Sequence, residues 1–358
     1  MNKKIGIIIV NYNGRRYLNG LFFSLANVEY SGEWEIIFVD NASPDNSLDY
    51  VKERFVPKFS NLKIIELKEN IGFAGGNNVG FKFLIKNNFD YAYLLNQDTV
   101  VTPDFLTNAV SHMKDSVGSV QSKLLLFDKN DEANSLGNAL HYLGFGYCFG
   151  YGMSKENTNK YLKDWKKRDS ELNIAYGSGA GLLLDLEAIK KVGMFEDYFF
   201  MYHEDLDLGW RLRLAGYKNV LAPFSVVYHK YEFSKSIQKY YWMERNRFVV
   251  IFQNLNYWTL FLIMPALILM EFGSFFFAIK SGWWKEKIKV YRYFLQKSSW
   301  DKIAKGRRRV NNIRKKTDEE LSDIFIGKIL FQDMDNWVLR KIANPFFDIY
   351  WKIVRFFV

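Results

Sequence analysis

Two short apolar runs without alternation open the chain, IGIIIV at 5–10 and EIIFV at 35–39, and the stretches 62–67 and 91–95 read as a third and a fourth strand. Such runs suit strands buried on both faces of a parallel sheet. Between them the apolar spacing becomes helical. Leu18, Leu21, Phe22 and Leu25 share one face, 47–55 reads as a second helix, and a third runs through 83–86 after a glycine-rich loop at 70–78. The alternation predicts an α/β domain with a mostly parallel, Rossmann-like sheet flanked by helices. Ligands of such sheets bind at the carboxyl ends of the strands. Polar residues stand at each of those ends: Asn11 and Asn13, Asp40 and Asn41, Asn70, and Asn96 and Asp98.

The pattern then loosens. Residues 118–175 read as a sheet extension plus a surface loop able to meet an acceptor. The stretch 177–230 opens on the small residues GSGAG, continues into an apolar run at 182–184, and places Glu204, Asp205 and Asp207 between an aromatic run and the helical positions Leu208, Leu212 and Leu214. His229 follows a strand-like run at 225–228. Residues 234–254 read as a helix rich in aromatics and arginine. The apolar run 257–279 matches the roughly 20 residues needed to cross a bilayer. Pro265 and Glu271 interrupt it, and a mid-span charge is costly. It reads as a transmembrane helix or as a helical hairpin, buried or lying on a membrane. The expected division is an α/β domain at 1–235 and a helical, membrane-associating region at 236–358.

Composition sharpens this picture in three ways. Aromatic residues make up 18% of the 358 positions, which favours sugar stacking, a membrane interface, or both. Cys148 is the one cysteine, so there is no disulfide framework, and it is expected to be a small core residue. The apolar run at 5–10 is too short for a signal-peptide core, and a cytoplasmic location is expected. The net charge of +10 is concentrated at 280–316, where fourteen lysines and arginines face two acids. Aromatic residues at 283–284 and 346–358 beside that charge suit an anionic membrane surface. The alternative is a solvated basic helix packed on the main domain. Nucleic-acid binding is not expected, because no nucleic-acid module accompanies Arg307, Arg308 and Arg309.

The candidate chemistry lies at the strand ends and in the acidic stretch. Asp40 can accept from a nucleobase or a ribose hydroxyl, or it can serve as a turn residue. Gly72, Gly75, Gly76 and Asn77 resemble a phosphate cradle at a helix N-terminus, although neither the dinucleotide fingerprint nor the P-loop is present. Asp98 is a hard oxygen donor suited to Mg2+ or Mn2+ bridging a diphosphate. Asn96 can add a neutral oxygen. A single carboxylate needs a second ligand, and His229 is the candidate; otherwise His229 is a packed or capping residue. Asp207 and Arg211 form an i,i+4 pair at a helix start. Glu204 and Asp205 follow aromatic sequence, where carboxylates are costly unless paired or used. Asp205 is therefore the expected catalytic base.

Taken together, IIIVNYNG, IIFVDNASPDNS, ENIGFAGGNNVGF, YLLNQD, GSGAGLLL and MYHEDLDLGWRLRLAGY resemble a family 2 glycosyltransferase with a GT-A fold, over residues 5 to 233. The wording is most similar to bacterial rhamnosyltransferase-like members that build surface polysaccharides. The resemblance implies that Asp40 contacts the nucleoside. It also implies that Asp98 is the last acid of the metal motif, with Asn96 replacing the first acid, that His229 completes the metal site, and that Asp205 is the inverting base. Asn11, Asn13, Asn41, Gly72, Gly75, Gly76, Asn77 and Asn96 would line the nucleotide sugar, and Gly179 and Glu204 the acceptor side.

On this reading the chain is an inverting, metal-dependent hexosyltransferase. Its donor is a nucleotide sugar, dTDP-rhamnose or a UDP-hexose. Its acceptor is a glycan, lipid-linked at the inner face of a bacterial membrane. Two rivals share the fold: a sugar nucleotidyltransferase, with Arg15 and Arg16 after the first strand, and an inactive glycan-binding or membrane scaffold.

Overall fold

A computed structural model describes residues 3–230, 237–330 and 337–358. The first half alternates as the pattern predicts: β1 (Ile5–Asn11), α1 (Arg15–Leu25), β2 (Trp34–Asp40), α2 (Ser47–Arg54), β3 (Leu62–Glu66), α3 (Gly72–Lys86) and β4 (Tyr91–Leu95). There follow β5 (Thr99–Val101), α4 (Phe105–Val110), β6 (Val117–Leu126), β7 (Ala133–Ser135), β8 (Asn138–His141), β9 (Gly146–Cys148), α5 (Lys155–Arg168), β10 (Gly181–Asp185), α6 (Leu186–Val192), α7 (Glu204–Leu214) and β11 (Lys218–His229). Among the described residues the remainder is mainly helical, with one short strand: α8 (Gln238–Asn254), α9 (Tyr257–Lys280), α10 (Trp284–Phe294), α11 (Lys297–Ile313), β12 (Phe325–Ile326) and α12 (Asn344–Val354).

The main sheet runs β3-β2-β1-β4-β10-β6-β11-β5, with β7 on β6. Its first four strands are parallel. Beyond them β10 is antiparallel to both neighbours, while β11 is parallel to β6 and antiparallel to β5. The sheet is thus parallel where the nucleotide half was expected and mixed beyond it. A small second sheet, β12-β8-β9, joins the end of the chain to its middle.

Three expectations are corrected. The glycine-rich segment is not a loop, because α3 begins at Gly72. A Cβ on Gly76 would sit 2.7 Å from the Val10 side chain, so glycine there lets the helix lie close against β1. Residues 257–279 form one unbroken helix rather than a hairpin. Pro265 lies on its exposed face, away from the packed side, and the helix continues through it. The basic run 280–316 is not free positive surface throughout: ten of its fourteen lysines and arginines are exposed, and Lys287, Arg307, Arg309 and Arg314 are drawn into the structure. Lys287 is fully buried, Arg309 pairs with Glu196, and Arg314 pairs with Asp318 at 2.7 Å. The expected boundary at 235 and the helix start at 234 fall in 231–236, outside the described residues.

Candidate active site

The carboxyl ends of the parallel strands converge through side-chain hydrogen bonds. At the end of β1, Asn11 Nδ2 donates to Asp40 Oδ1 at 2.9 Å and to Ser47 Oγ at 2.6 Å. Asp40 Oδ2 accepts from the Ser43 amide at 3.1 Å. Ser43 Oγ also accepts from the amide of Asn13, which has a left-handed φ of 52°. Asn41 reaches the next loop, donating to Asn70 Oδ1 at 3.0 Å and accepting from the Ile71 amide at 3.0 Å. Gln97, after β4, is bonded to both backbone groups of Tyr12. The polar strand ends therefore form one edge.

The glycines of α3 do not form the expected phosphate cradle. The amides of Ile71, Gly72 and Ala74 are taken by Asn41, Asn70 and the Phe200 carbonyl. Gly75 packs on Ile71 and Gly76 on Val10. Asn77 is buried and turns back to the Phe73 carbonyl. Gly72 has another use. Its φ is +78°, and a Cβ would lie 2.4 Å from the Phe200 carbonyl oxygen, so the start of α3 abuts the loop that carries the acids.

Asp98 and His229, far apart in sequence, come together because β11 pairs with β5 and sets His229 opposite Thr99. Asp98 Oδ1 lies 3.3 Å from His229 Nε2. The other ring nitrogen faces Asn134 Oδ1 at 3.0 Å, the arrangement that orients a ligating imidazole. Nearby, the buried Oδ1 of Asn96 has no hydrogen-bond partner. A carboxylate, an imidazole and a spare carbonyl oxygen fit a Mg2+ or Mn2+ site that borrows further oxygens from a ligand. Among the described residues no cluster of three histidine, cysteine or acidic side chains is formed, so the protein alone supplies an incomplete coordination shell.

The acids sit at the N-terminus of α7. Asp205 is half-buried. Its Oδ1 accepts from the Leu206 amide at 2.8 Å and its Oδ2 from the Gly179 amide at 3.3 Å. Burial outweighs these bonds and pushes its carboxyl up to about 6. Glu204 is buried, with Oε2 unpartnered. Burial first, and the neighbouring Asp205 charge second, hold its carboxyl well above the usual range. Asp205 is thus the member of the pair that ionises near neutrality. The next residue, Ala180, accepts from the Asn96 amide at 3.4 Å, linking the Asp205 wall to the Asp98 wall. Asp207 plays the structural part expected of it, buried and paired with Arg211 at 2.8 Å. Cys148 is half-buried, and its thiol is pushed up to about 12 by burial and by the Asp205 charge, so it stays protonated.

Sequence reasoning missed what holds Asp205 in place. Phe200, Tyr202 and His203 all have left-handed φ, between 63° and 69°, a costly conformation for these residue types. From α8, the fully buried Asn246 donates to the carbonyls of Phe199, Met201 and Tyr202 at 3.0, 3.0 and 2.7 Å. Arg245 donates to Tyr198 and Phe199, and Trp242 stacks on Phe200 at 4.9 Å. The available signal was an Arg-Asn pair inside an aromatic helix, which gives no direction in which to look for partners.

The family model of Glycosyl transferase family 2 matches residues 6–187. Over 60 residues the chain is 43% identical to the N-acetylglucosaminyl-diphospho-decaprenol L-rhamnosyltransferase of Mycobacterium tuberculosis, covering 17% of this chain and 20% of that protein. It is 22% identical over 226 residues to the poly-beta-1,6-N-acetyl-D-glucosamine synthase of Staphylococcus aureus, covering 62% and 48%. The chain thus spans about a fifth and about half of these relatives. In structure it is similar to a mannosyltransferase of Pyrobaculum calidifontis solved with GDP-Man and Mn2+, at 14% identity, with a TM-score of 0.52 over 90% of this chain and 88% of that one.

Proposed function

Because the chain belongs to glycosyl transferase family 2, we propose that it transfers a sugar, with inversion, from a nucleotide-diphosphate donor to a hydroxyl of a glycan acceptor. The observation that carries this reading is the link that residues 179–180 make between two unlike groups: an elevated carboxylate at Asp205, bonded to Gly179, and the strand end bearing the Asp98–His229 pair, bonded to Ala180 through the Asn96 amide. Asp205 takes the proton of the acceptor hydroxyl while that oxygen bonds to the anomeric carbon. The bond from that carbon to the diphosphate breaks on the opposite face, and the nucleoside diphosphate leaves as an anion. When bound at Asp98 and His229, a divalent cation supplies neutralisation of that leaving group. No protein acid is then required, whereas glycosidases use two carboxyl groups flanking the bond.

Asp40 keeps lone pairs beyond its bonds to Asn11 and Ser43, in keeping with a nucleoside contact at that edge beside Asn13 and Asn41. Gly179 and Glu204 border Asp205 and fall on the acceptor side. The mycobacterial relative's name favours a rhamnose donor and a decaprenol-linked acceptor. The staphylococcal relative's name favours an N-acetylglucosamine donor and a polysaccharide acceptor. A lipid-linked acceptor would place the enzyme at the cytoplasmic face of a membrane.

The deciding experiment is a panel of nucleotide sugars, dTDP-rhamnose and UDP-hexoses first, assayed for product with Mn2+ and a glycan acceptor. Release of nucleoside diphosphate is expected. Release of pyrophosphate from a sugar phosphate and a nucleoside triphosphate would instead show a nucleotidyltransferase.

A further inference from the structure

The helices α9 and α12 leave a large apolar face without a partner among the described residues. They run antiparallel and side by side: Trp258 Nε1 donates to the Phe357 carbonyl and Tyr350 Oη to the Leu262 carbonyl, both at 2.7 Å. One side of α9 packs into the protein through Leu260, Ile263, Ala266, Leu267 and Ala278. The other presents Trp258, Phe261, Phe272 and Phe276 to the outside, each more than half exposed, and α12 adds Ile349 and Ile353 at 58% and 56%. The spacing on both helices is that of a single face, three and four residues apart. On α9 it extends for about 27 Å from Trp258 to Phe276, at ~1.5 Å per residue. Scattered exposed apolar side chains are ordinary, but a continuous two-helix face is not.

Charge says what covers it. The acids on these two helices are Glu271 and Asp348. Glu271 is committed to Arg247 and Lys287, the latter at 2.8 Å, and Asp348 to Lys352 and Lys328. Around the apolar face, Lys280, Lys285, Lys341 and Lys352 are exposed. We propose that the α9–α12 pair lies in the plane of an anionic lipid bilayer, with its outer face immersed to the depth of the headgroup–acyl boundary, and seats the enzyme there. A second copy is a poorer occupant, since a two-fold contact would set this lysine-rimmed face against itself. A spanning arrangement is excluded by Glu271. Its pairs with Arg247 and Lys287 tie the middle of α9 to α8 and α10, and withdrawing it would leave charges stranded in hydrocarbon. The inference is independent of the sugar chemistry.

Flotation with vesicles tests it, using phosphatidylglycerol mixed with phosphatidylcholine against phosphatidylcholine alone. The full chain is expected to float with the anionic vesicles and more weakly with the neutral ones. Phe272→Glu with Phe276→Glu on α9, and separately Ile349→Glu with Ile353→Glu on α12, should each lower the bound fraction roughly tenfold or more. Both variants should keep the wild-type melting temperature and release nucleoside diphosphate at the wild-type rate with a water-soluble acceptor. Three results would overturn the proposal: a wild-type chain that stays unbound, variants that float as it does, or a wild-type dimer that the same substitutions dissociate.

Discussion

Asp205 is held where its charge is unwelcome, and that has two measurable consequences. A general base must be ionised, and burial has moved its carboxyl up to about 6. The transfer rate should therefore fall tenfold per pH unit below about 6 and level off above it. Stability moves the other way. The folded-state value lies above the unfolded value of about 3.9, so the folded state binds the proton more tightly. The cost is absent below about pH 4, grows through the interval, and is complete above about 6. Asp205→Asn should thus lose roughly 10²–10⁴-fold in transfer while melting higher than wild type at pH 8 by the equivalent of about 3 kcal/mol, with nucleotide binding kept. Equal melting temperatures at pH 8 would show that the carboxylate is not strained, and undiminished turnover would remove it from catalysis. At the metal pair the readout is binding. Mn2+ should tighten nucleoside diphosphate binding to wild type in calorimetry, and Asp98→Asn or His229→Ala should abolish that enhancement. Asp205 was legible in the sequence because acids pressed against aromatics are anomalous on chemistry alone. The Asp98–His229 pair was expected too, from a lone carboxylate's need for a second ligand; the topology supplies the contact itself, through a strand pairing across 130 residues.

At the scale of elements, the catalytic loop and α8 form a single device. Three left-handed residues precede Asp205, and Asn246 spends its donor group on three of the loop's carbonyls. Asn246→Ala should lower kcat by roughly tenfold to a hundredfold while donor KM changes little, since a base displaced by a fraction of an ångström loses alignment without loosening the nucleotide. The acid limb of the rate profile should also move down from about 6 as water reaches Asp205. Asn246→Asp separates positioning from packing. It keeps the volume but turns a donor into an anion facing three carbonyls, so it should be no better than alanine. Recovery of activity in that variant would mean that shape alone matters. β1, β2 and β4 were readable because their chemistry is local: short runs of mostly apolar residues, closed by polar ones. The start of α3 misread as a loop because glycine and asparagine are weak helix formers. What overrides propensity there is the proximity of β1, which leaves no room for a Cβ at Gly76. Asn246 was invisible for a related reason. A polar residue inside a helix pattern reads as solvent-facing until a partner some 45 positions away is known.

For the whole molecule, the end of the chain completes a core that the beginning cannot close. One apolar cluster runs from Ile8, Ile37 and Leu94 through Trp210 and Phe248 to Leu260, Trp351 and Val354. Trp210 packs edge-on to Phe325 at 5.1 Å, and Tyr142 stacks on Trp351 at 4.9 Å. Polar links follow the same route: Asn254 to Asp207 at 3.0 Å, Arg247 to the Leu143 carbonyl at 3.1 Å, and the amides of Lys315 and Lys316 to the Leu214 carbonyl. A division at 235 is therefore proposed as a functional one, with nucleotide and acceptor chemistry before it and support and attachment after it. Its halves are not expected to fold separately. A fragment ending at 235 exposes Trp210, Tyr142 and Leu143, leaves the buried Asp207 without Asn254, and loses the Arg245 and Asn246 bonds that pin the left-handed loop. It should melt without a cooperative transition, bind a hydrophobic dye, and fail to transfer sugar even where some nucleotide binding at the parallel edge survives. The glutamate variants on the outer face of α9 and α12 provide the control, because they alter the same region of sequence without touching the core and should unfold as sharply as wild type. A fragment 1–235 with a sharp melt and normal turnover would mean that α8 is dispensable to the base, and the account of Asn246 would fail with it.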